Sequence, residues 1–257
     1  MKPNQETHEA KDMAKSVYVK PIYFKYLSRT DERDILERKL RELIPLWCTK
    51  DQMSILEPGC AVGSAAARLT KILDEKGVSC NYVALDPSKE QLERFQKSLP
   101  HLNAELVCSR FEDYNPNKKF DLAYAVHSLY YMDSLKEAVK KLYGLADKSI
   151  IVHYGSRGIH EIRERFSSSV KGGPNINSTY HDVVRAIEEL GIKYHLYQRV
   201  SHFDIGDCKI LNQDGRDLIK FFLEDPNPSE ETIGSVSDFI REGPDRRPHD
   251  IALILVG

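Results

Sequence analysis

The chain has no cysteine pair at C-x-x-C spacing, and its five cysteines, Cys48, Cys60, Cys80, Cys108 and Cys208, are odd in number. Neither a disulfide framework nor a zinc knuckle is indicated, and free thiols in a reducing cytosol are the expectation. The nine histidines are scattered, with no H-x-x-x-H pair on a helix, so metal catalysis has no sequence support. No apolar run approaches the ~20 residues of a membrane span, and the longest clear one is Ile251 to Val256. Charge of one sign is also missing: 37 basic residues oppose 39 acidic ones, a formal net charge of −2. That balance gives no electrostatic footprint for nucleic acid or an anionic membrane. Residues 1–15 are polar and lack a signal-peptide core, so they read as a flexible leader. Repeats, low-complexity tracts and linkers are absent as well. One cytoplasmic domain over 1–257, working as a monomer on a small molecule, is the expected organisation.

What is present is an alternation of strands and helices. Residues 16–49 have helical character, broken near Pro21 and around Ser28 to Asp31, with Ile35, Leu36, Leu40, Leu43 and Ile44 at core-facing spacing. Strands are expected at Met53–Glu57, Asn81–Leu85, Ala104–Val107, Phe120–Val126 and Ile150–His153, with helices at Ser64–Lys76, Ser88–Leu99 and Leu135–Leu145 between them. Such alternation implies an α/β fold with a parallel sheet and helices on both faces. The second half is less regular. Helices are expected near 158–169, 180–190, 216–223 and 232–240, a strand at Lys193–Val200, and a final buried strand at Ile251–Val256. Residues 158–248 then read as largely helical lid elements inserted before the last strand.

The chemistry gathers first at Glu57-Pro58-Gly59-Cys60-Ala61-Val62-Gly63, between the first strand and its helix, and at Asp86, the tip of the next strand. Glycines at 59 and 63 leave room for backbone to approach a ligand, and an acid at 86 suits a ribose diol. The dinucleotide spacing G-x-G-x-x-G is not met, and no Lys-Ser/Thr follows to make a P-loop. A purely structural tight turn remains the alternative. Farther on, Val126-His127-Ser128-Leu129-Tyr130-Tyr131 leaves the fourth strand where residues of an open α/β sheet overlook the ligand crevice. Tyrosine faces there suit a planar or cationic substrate, unless they are core aromatics and His127 a buried, backbone-satisfied ring.

The glycine turn resembles the E-x-G-x-G-x-G turn of class I S-adenosylmethionine methyltransferases, with Ala61 at the middle glycine. Over nearly its whole length the chain further resembles the histamine N-methyltransferase family. The resemblance is carried by Tyr18 to Glu32, Asp86-Pro87-Ser88-Lys89-Glu90-Gln91, Ser128-Leu129-Tyr130-Tyr131, Leu190 to Tyr194 and Asp204-Ile205-Gly206-Asp207-Cys208. It implies a Rossmann-like class I sheet with a helical substrate lid and S-adenosylmethionine as cofactor. The implied cofactor set is Glu57, Gly59, Gly63, Asp86, Gln91 and Val126. The implied substrate set is Tyr18, Glu32, His127, Tyr130, Tyr131 and His249, the last in a loop.

Departures from the family fall on the substrate side. His127 stands where the family has a glutamine, and the paired tryptophans fall near Ile159 and Arg163. The implied reaction is N-methylation of a small amine or imidazole metabolite. In it His127 orients an imidazole or accepts an amine proton, and Glu32 pairs the substrate's cation. O-methylation on the same fold, or S-adenosylmethionine binding without turnover, are the alternatives, and for Glu32 so is a solvated helix-end acid.

Overall fold

The computed structural model describes residues 21–257, so Tyr18 and the leader lie outside the described residues. Two helices come first, α1 (Pro21–Ser28) and α2 (Glu32–Trp47), separated by a short break at the expected place. An alternating run follows: β1 (Gln52–Pro58), α3 (Ser64–Asp74), β2 (Ser79–Asp86), α4 (Lys89–Ser98), β3 (Ala104–Cys108) and β4 (Phe120–Val126). A 3₁₀ turn at Leu129–Tyr131 then leads to α5 (Leu135–Leu145) and β5 (Ala146–Tyr154), and a second lies at Ser167–Ser169. The rest comprises α6 (Ile159–Arg165), α7 (Tyr180–Glu189), β6 (Tyr194–Asp204), α8 (Gly206–Ile210), α9 (Gln213–Leu223), α10 (Glu230–Arg241) and β7 (Arg246–Val256).

Helix starts follow local chemistry. The Ser88 hydroxyl accepts from the Gln91 amide at 3.4 Å and Ser134 from Glu137 at 3.3 Å, each satisfying an otherwise orphaned donor. Helix α3 lacks such a cap, as α2 and α8 do, because Gly63 precedes it and offers no side chain. Its first amides therefore face the carboxyl edge of the sheet with no side-chain acceptor.

The strands form one sheet in the order β3-β2-β1-β4-β5-β7-β6. The first five run parallel, while β7 lies antiparallel to both β5 and β6. The order reverses between β1 and β4, which opens a crevice at their carboxyl ends. Alternate residues face opposite layers. Ile55, Tyr82, Leu122 and Ile150 pack with Leu36, Leu40, Leu69 and Phe95 on one face. Leu56, Val83, Ala123 and Ile151 pack with Val139, Leu142, Val183 and Ile187 on the other.

The last two strands are longer than their hydrophobic pattern suggests. Strand β6 continues to Asp204 and β7 begins at Arg246, paired from Tyr194↔Val256 to Asp204↔Arg246. Pro248 lies in this extension, where β5 no longer pairs, since β5 meets β7 only from Ile251 onward. Pro248 thus sits where β7 is already an edge, the one sheet position that tolerates a residue without an amide hydrogen. His249 is consequently a strand residue, not a loop residue.

Candidate functional site

A cavity of about 300 Å³ opens over the crevice. Its floor is the Gly59–Val62 turn, its sides are Asp86–Ser88 with Gln91 and the Ser109–Glu112 turn, and its far wall is Val126–Met132 with Tyr154. Helices α1 and α2 cover it through Tyr26, Glu32 and Leu36.

The turn is tied to β2. The amides of Gly59 and Cys60 both donate to the Leu85 carbonyl, at 2.7 and 3.1 Å. Asp86 accepts from the Ala61 amide at 3.1 Å through one oxygen and from Ser88 at 2.8 Å through the other. Each carboxylate oxygen has further acceptor capacity for a ligand hydroxyl.

The expected reason for the glycines needs correcting. A Cβ on Gly59, at φ +74, would stand 2.5 Å from the Ser128 Cβ, and one on Gly63, at φ +84, 2.8 Å from the Phe95 ring. What presses on these positions is the turn after β4 and helix α4. Gly63 is not among the cavity-lining residues, whereas Glu57, Gly59, Asp86, Gln91 and Val126 are.

Two groups at this end have unusual states. Glu57 is 2% exposed, and burial pushes its carboxyl up to about 8, although the Tyr82 hydroxyl donates to it at 2.8 Å. Gln91 is buried at the cavity wall, and its side-chain oxygen has no hydrogen-bond partner among the described residues.

At the other end, His127 leaves β4 at φ +51, a left-handed conformation uncommon for a residue with a side chain. Its amide donates to the Val152 carbonyl at 3.0 Å, and its ring lies 4.1 Å from that of Tyr154, centroid to centroid. Its Nε2 meets Glu32 Oε1 at 2.5 Å. Glu32 is therefore no solvated acid: it is 4% exposed, and Oε2 accepts from the Tyr26 hydroxyl at 3.3 Å and lies 3.7 Å from His249 Nε2. Burial acts to raise its pKa, but the charge and hydrogen bond of His127, with His249 adding, hold it down at about 2.

His249 itself is fully buried on β7, and burial lowers it to about 4 against the pull of Glu32. It packs behind Tyr154, at 4.5 Å between ring centroids, and does not line the cavity. Tyr130 and Tyr131 both line it. Tyr130 is buried, stacked at 4.0 Å on His153, and its hydroxyl accepts from the Tyr154 amide at 2.7 Å. Tyr131 donates to Glu224 at 2.7 Å, and Arg163 reaches the same carboxylate oxygen at 2.8 Å from within the core.

Several lining residues were not expected. Tyr154 ends β5 at the same sheet edge as His127, so the strand-end rule was enough to find it. Tyr26 and Phe221 stack at 4.6 Å and come from α1 and α9, which only the tertiary fold brings together. The same holds for Arg163, near which the resemblance places the family's paired tryptophans.

A methyltransferase domain model matches residues 55–148, the stretch from β1 to the start of β5, which includes the Gly59–Val62 turn and Asp86. The chain is a class I S-adenosylmethionine-dependent methyltransferase, a Rossmann-like sheet with a cofactor crevice at its switch point. Within that class it is 23% identical over 213 residues to histamine N-methyltransferase of Mus musculus, covering 74% of this chain and 72% of that one. It is 22% identical to carnosine N-methyltransferase 2 of Gallus gallus, over 72% of this chain and 65% of the relative. It is 29% identical to malonyl-[acyl-carrier protein] O-methyltransferase 1 of Ilyobacter polytropus, over 47% and 45%. Among solved structures, the plantazolicin methyltransferase BpumL, complexed with a triazolic substrate analogue and SAH, matches the fold. It does so at TM-score 0.52 and 15% identity, over 97% of this chain and 98% of that one. Among the described residues, no helix is long and apolar enough to cross a membrane.

Proposed function

We propose that this chain methylates a nitrogen of a small amine- or imidazole-bearing metabolite. One observation carries the reading: a single cavity joins the glycine turn, Asp86 and Gln91 to His127, Tyr130 and Tyr154. Relatives named for histamine and carnosine N-methylation support the nitrogen acceptor.

S-adenosylmethionine bound here supplies an electrophilic methyl group on a sulfonium. The residues present fit it. Asp86 would hold the ribose diol, and the uncapped first turn of α3, beside Ser64 and Ala65 on the cavity wall, would hold its carboxylate. Gln91, with its unpartnered buried oxygen, would take a donor of the cofactor. Glu57 stays protonated below pH 8, supports the turn as a neutral group and places no second charge beside Asp86.

On the acceptor side, Tyr130, Tyr131 and Tyr154 bracket the substrate, and their faces attract a cationic or planar group. Helices α1 and α2, with Arg163 of α6 and Phe221 of α9, act as the cover that excludes water. The sulfur is a good leaving group, so placing the acceptor in line is the main task, and orientation of this kind supplies roughly 7–11 kcal/mol at its upper end.

The test is transfer of labelled methyl across a panel of imidazoles, alkylamines, phenols and acyl thioesters. Methylation of nitrogen acceptors is expected. Turnover confined to oxygen or carboxylate acceptors, or calorimetric binding of the cofactor with no turnover on any class, would overturn the reading.

A further inference from the structure

Resting on the reading that places a nitrogen acceptor beside Tyr131, we infer that Glu224, held by Arg163, is a positioning residue that fixes Tyr131 as the acceptor-side wall. Segment 171–175 clasps the same turn from outside. The run Lys171-Gly172-Gly173-Pro174-Asn175 is not part of the cavity lining, yet it packs directly on that wall.

The wall is weakly held by its own backbone. Tyr130 and Tyr131 sit on the 3₁₀ turn Leu129–Tyr131, where the amides of Tyr131 and Met132 donate to Ser128 and Leu129 at 3.3 Å each. Bonds of that length are poorer than those of a regular helix. Tyr130 is buried, so Tyr131, only partly buried, is the one of the two with surface to offer a ligand. Its ring stands nearly perpendicular to that of Tyr130, at 77° and 6.3 Å between centroids.

What fixes Tyr131 comes from elsewhere in the chain. Its hydroxyl donates to Glu224 Oε1 at 2.7 Å, and Arg163 Nη2 donates to the same oxygen at 2.8 Å. Arg163 Nε is anchored in turn on the Phe222 carbonyl at 2.9 Å. Two features indicate that this carboxylate is kept for something besides stability. Glu224 ends α9 at φ +52, a left-handed position that helices usually fill with glycine or asparagine. The ion pair is also enclosed, at 2% and 0% side-chain exposure, and such a pair is often no more stable than apolar residues of the same volume.

Segment 171–175 joins the two pieces. The Lys171 amide donates to the Leu223 carbonyl at 3.0 Å, and the Asn175 amide donates to the Tyr130 carbonyl at 3.1 Å. The Asn175 side chain reaches the Met132 carbonyl at 2.6 Å. Gly173 comes so near that a Cβ there would stand 2.6 Å from the Tyr130 carbonyl oxygen and 2.9 Å from the Tyr131 Cα. The end of α9 and the turn after β4 thus form one unit, and the acceptor meets a phenol ring at a set position. This device acts on acceptor binding, so its loss appears in KM and spares kcat and the cofactor.

Tyr131→Phe keeps the ring and removes its anchor. KM for the nitrogen acceptor is expected to rise about three- to tenfold, the range for one orienting hydrogen bond, with kcat changed less than about twofold. Cofactor affinity should stay unchanged by calorimetry. Arg163→Met combined with Glu224→Gly removes both charges and suits the left-handed position, so it should melt close to wild type and raise KM by a similar factor. Adding Tyr131→Phe to that variant should raise KM no further. An additive loss would show that Glu224 acts without Tyr131, and a matching fall in kcat or cofactor affinity would make its role merely structural; either overturns the inference. Hydrogen exchange of the ligand-free wild type reads the clasp without turnover. Slow exchange at the Lys171 and Asn175 amides is expected, and rapid exchange would overturn the inference even if amine methylation stands. If the paired variant does not fold, Tyr131→Phe and the exchange decide, and an unchanged KM or rapid exchange counts against the inference. Absence of turnover on every nitrogen acceptor would sink the parent reading instead, with the exchange still deciding the clasp.

Discussion

The two ends of the cavity are built in different ways. The donor end comes from short connections within one parallel unit: the β1–α3 turn, the tip of β2 and the first turn of α4. Its partners are backbone amides a few residues or one strand away, such as Ala61 and Ser88 on Asp86. The acceptor end is assembled from side chains distant in sequence: Glu32 reaches His127 across 95 positions, and Tyr131 reaches Glu224 across 93. A backbone-made site resists side-chain change and serves one ligand, as the shared cofactor of a class requires. A site made of side chains can be rebuilt one residue at a time.

The comparison breaks most severely at Gly59, where the two ends touch. An alanine there would hold a left-handed backbone, at roughly 1–2 kcal/mol. Its methyl would also drive into the Ser128 Cβ at 2.5 Å, and overpacking of this kind costs roughly 1–3 kcal/mol more. Gly59→Ala is expected to lose about 2–5 kcal/mol in urea denaturation, adding those two contributions, and to weaken cofactor binding strongly by calorimetry. Gly77→Ala is the control, because φ is +71 but nothing lies within 4 Å of the new methyl. It should cost only the conformational part. Equal losses in the two variants would mean that the contact with the turn after β4 is unimportant.

A smaller effect separates the two buried glutamates by pH. Glu57, raised from 4.5 to about 8 by burial, binds a proton in the folded state that the unfolded chain lacks between those values. Its contribution to stability is present below pH 4.5 and is lost as pH rises through 8. Glu32, lowered from 4.5 to about 2, works in the opposite sense: its contribution is present above 4.5 and is lost as pH falls toward 2. Glu57→Gln should therefore gain stability relative to wild type as pH rises from 5 to about 9. The deficit of Glu32→Gln should shrink on acidification below pH 4.5. Thermal melts across pH check both, and parallel curves for the two variants would remove the electrostatic distinction between the ends.

The same contrast decides what could be read before the fold was known. The alternation of strands and helices, the glycine turn and Asp86 depend on local pattern, and a helix or strand assignment places them without further information. His127, Tyr130 and Tyr131 could be placed at the crevice because they follow a strand end. The bond from Glu32 to His127 could not, since nothing in the run Asp31-Glu32-Arg33-Asp34 distinguishes a buried acid from a solvated one. His249 was read as a loop residue because the apolar run begins only at Ile251, and the polar extension of β7 is held by pairing with β6 alone. Tyr26 on Phe221 and Arg163 on Glu224 carry no sequence signal, because tertiary packing alone makes those pairs.

The mildest test concerns how the cover is held over the acceptor end. Lys25 of α1 pairs with Asp214 at 2.6 Å and with Asp217 at 2.8 Å, and Arg29 pairs with Asp214 at 2.9 Å and with Asp207. These groups tie α1, which brings Tyr26 to the cavity, to α8 and α9. All are partly exposed, so each pair contributes no more than about 1 kcal/mol and is screened by salt. Asp214→Asn should raise KM for the acceptor about two- to fivefold, as expected for losing up to ~1 kcal/mol of cover closure, and leave cofactor affinity unchanged. Raising salt should move wild type toward the variant and move the variant less. An unchanged KM would assign the closure to the apolar side of α1, where Ile22 is buried and Tyr26 stacks on Phe221. An equal loss of cofactor affinity would show that the cover serves both ends alike, and the division between a backbone-made donor site and a side-chain-made acceptor site would then stop at the sheet edge.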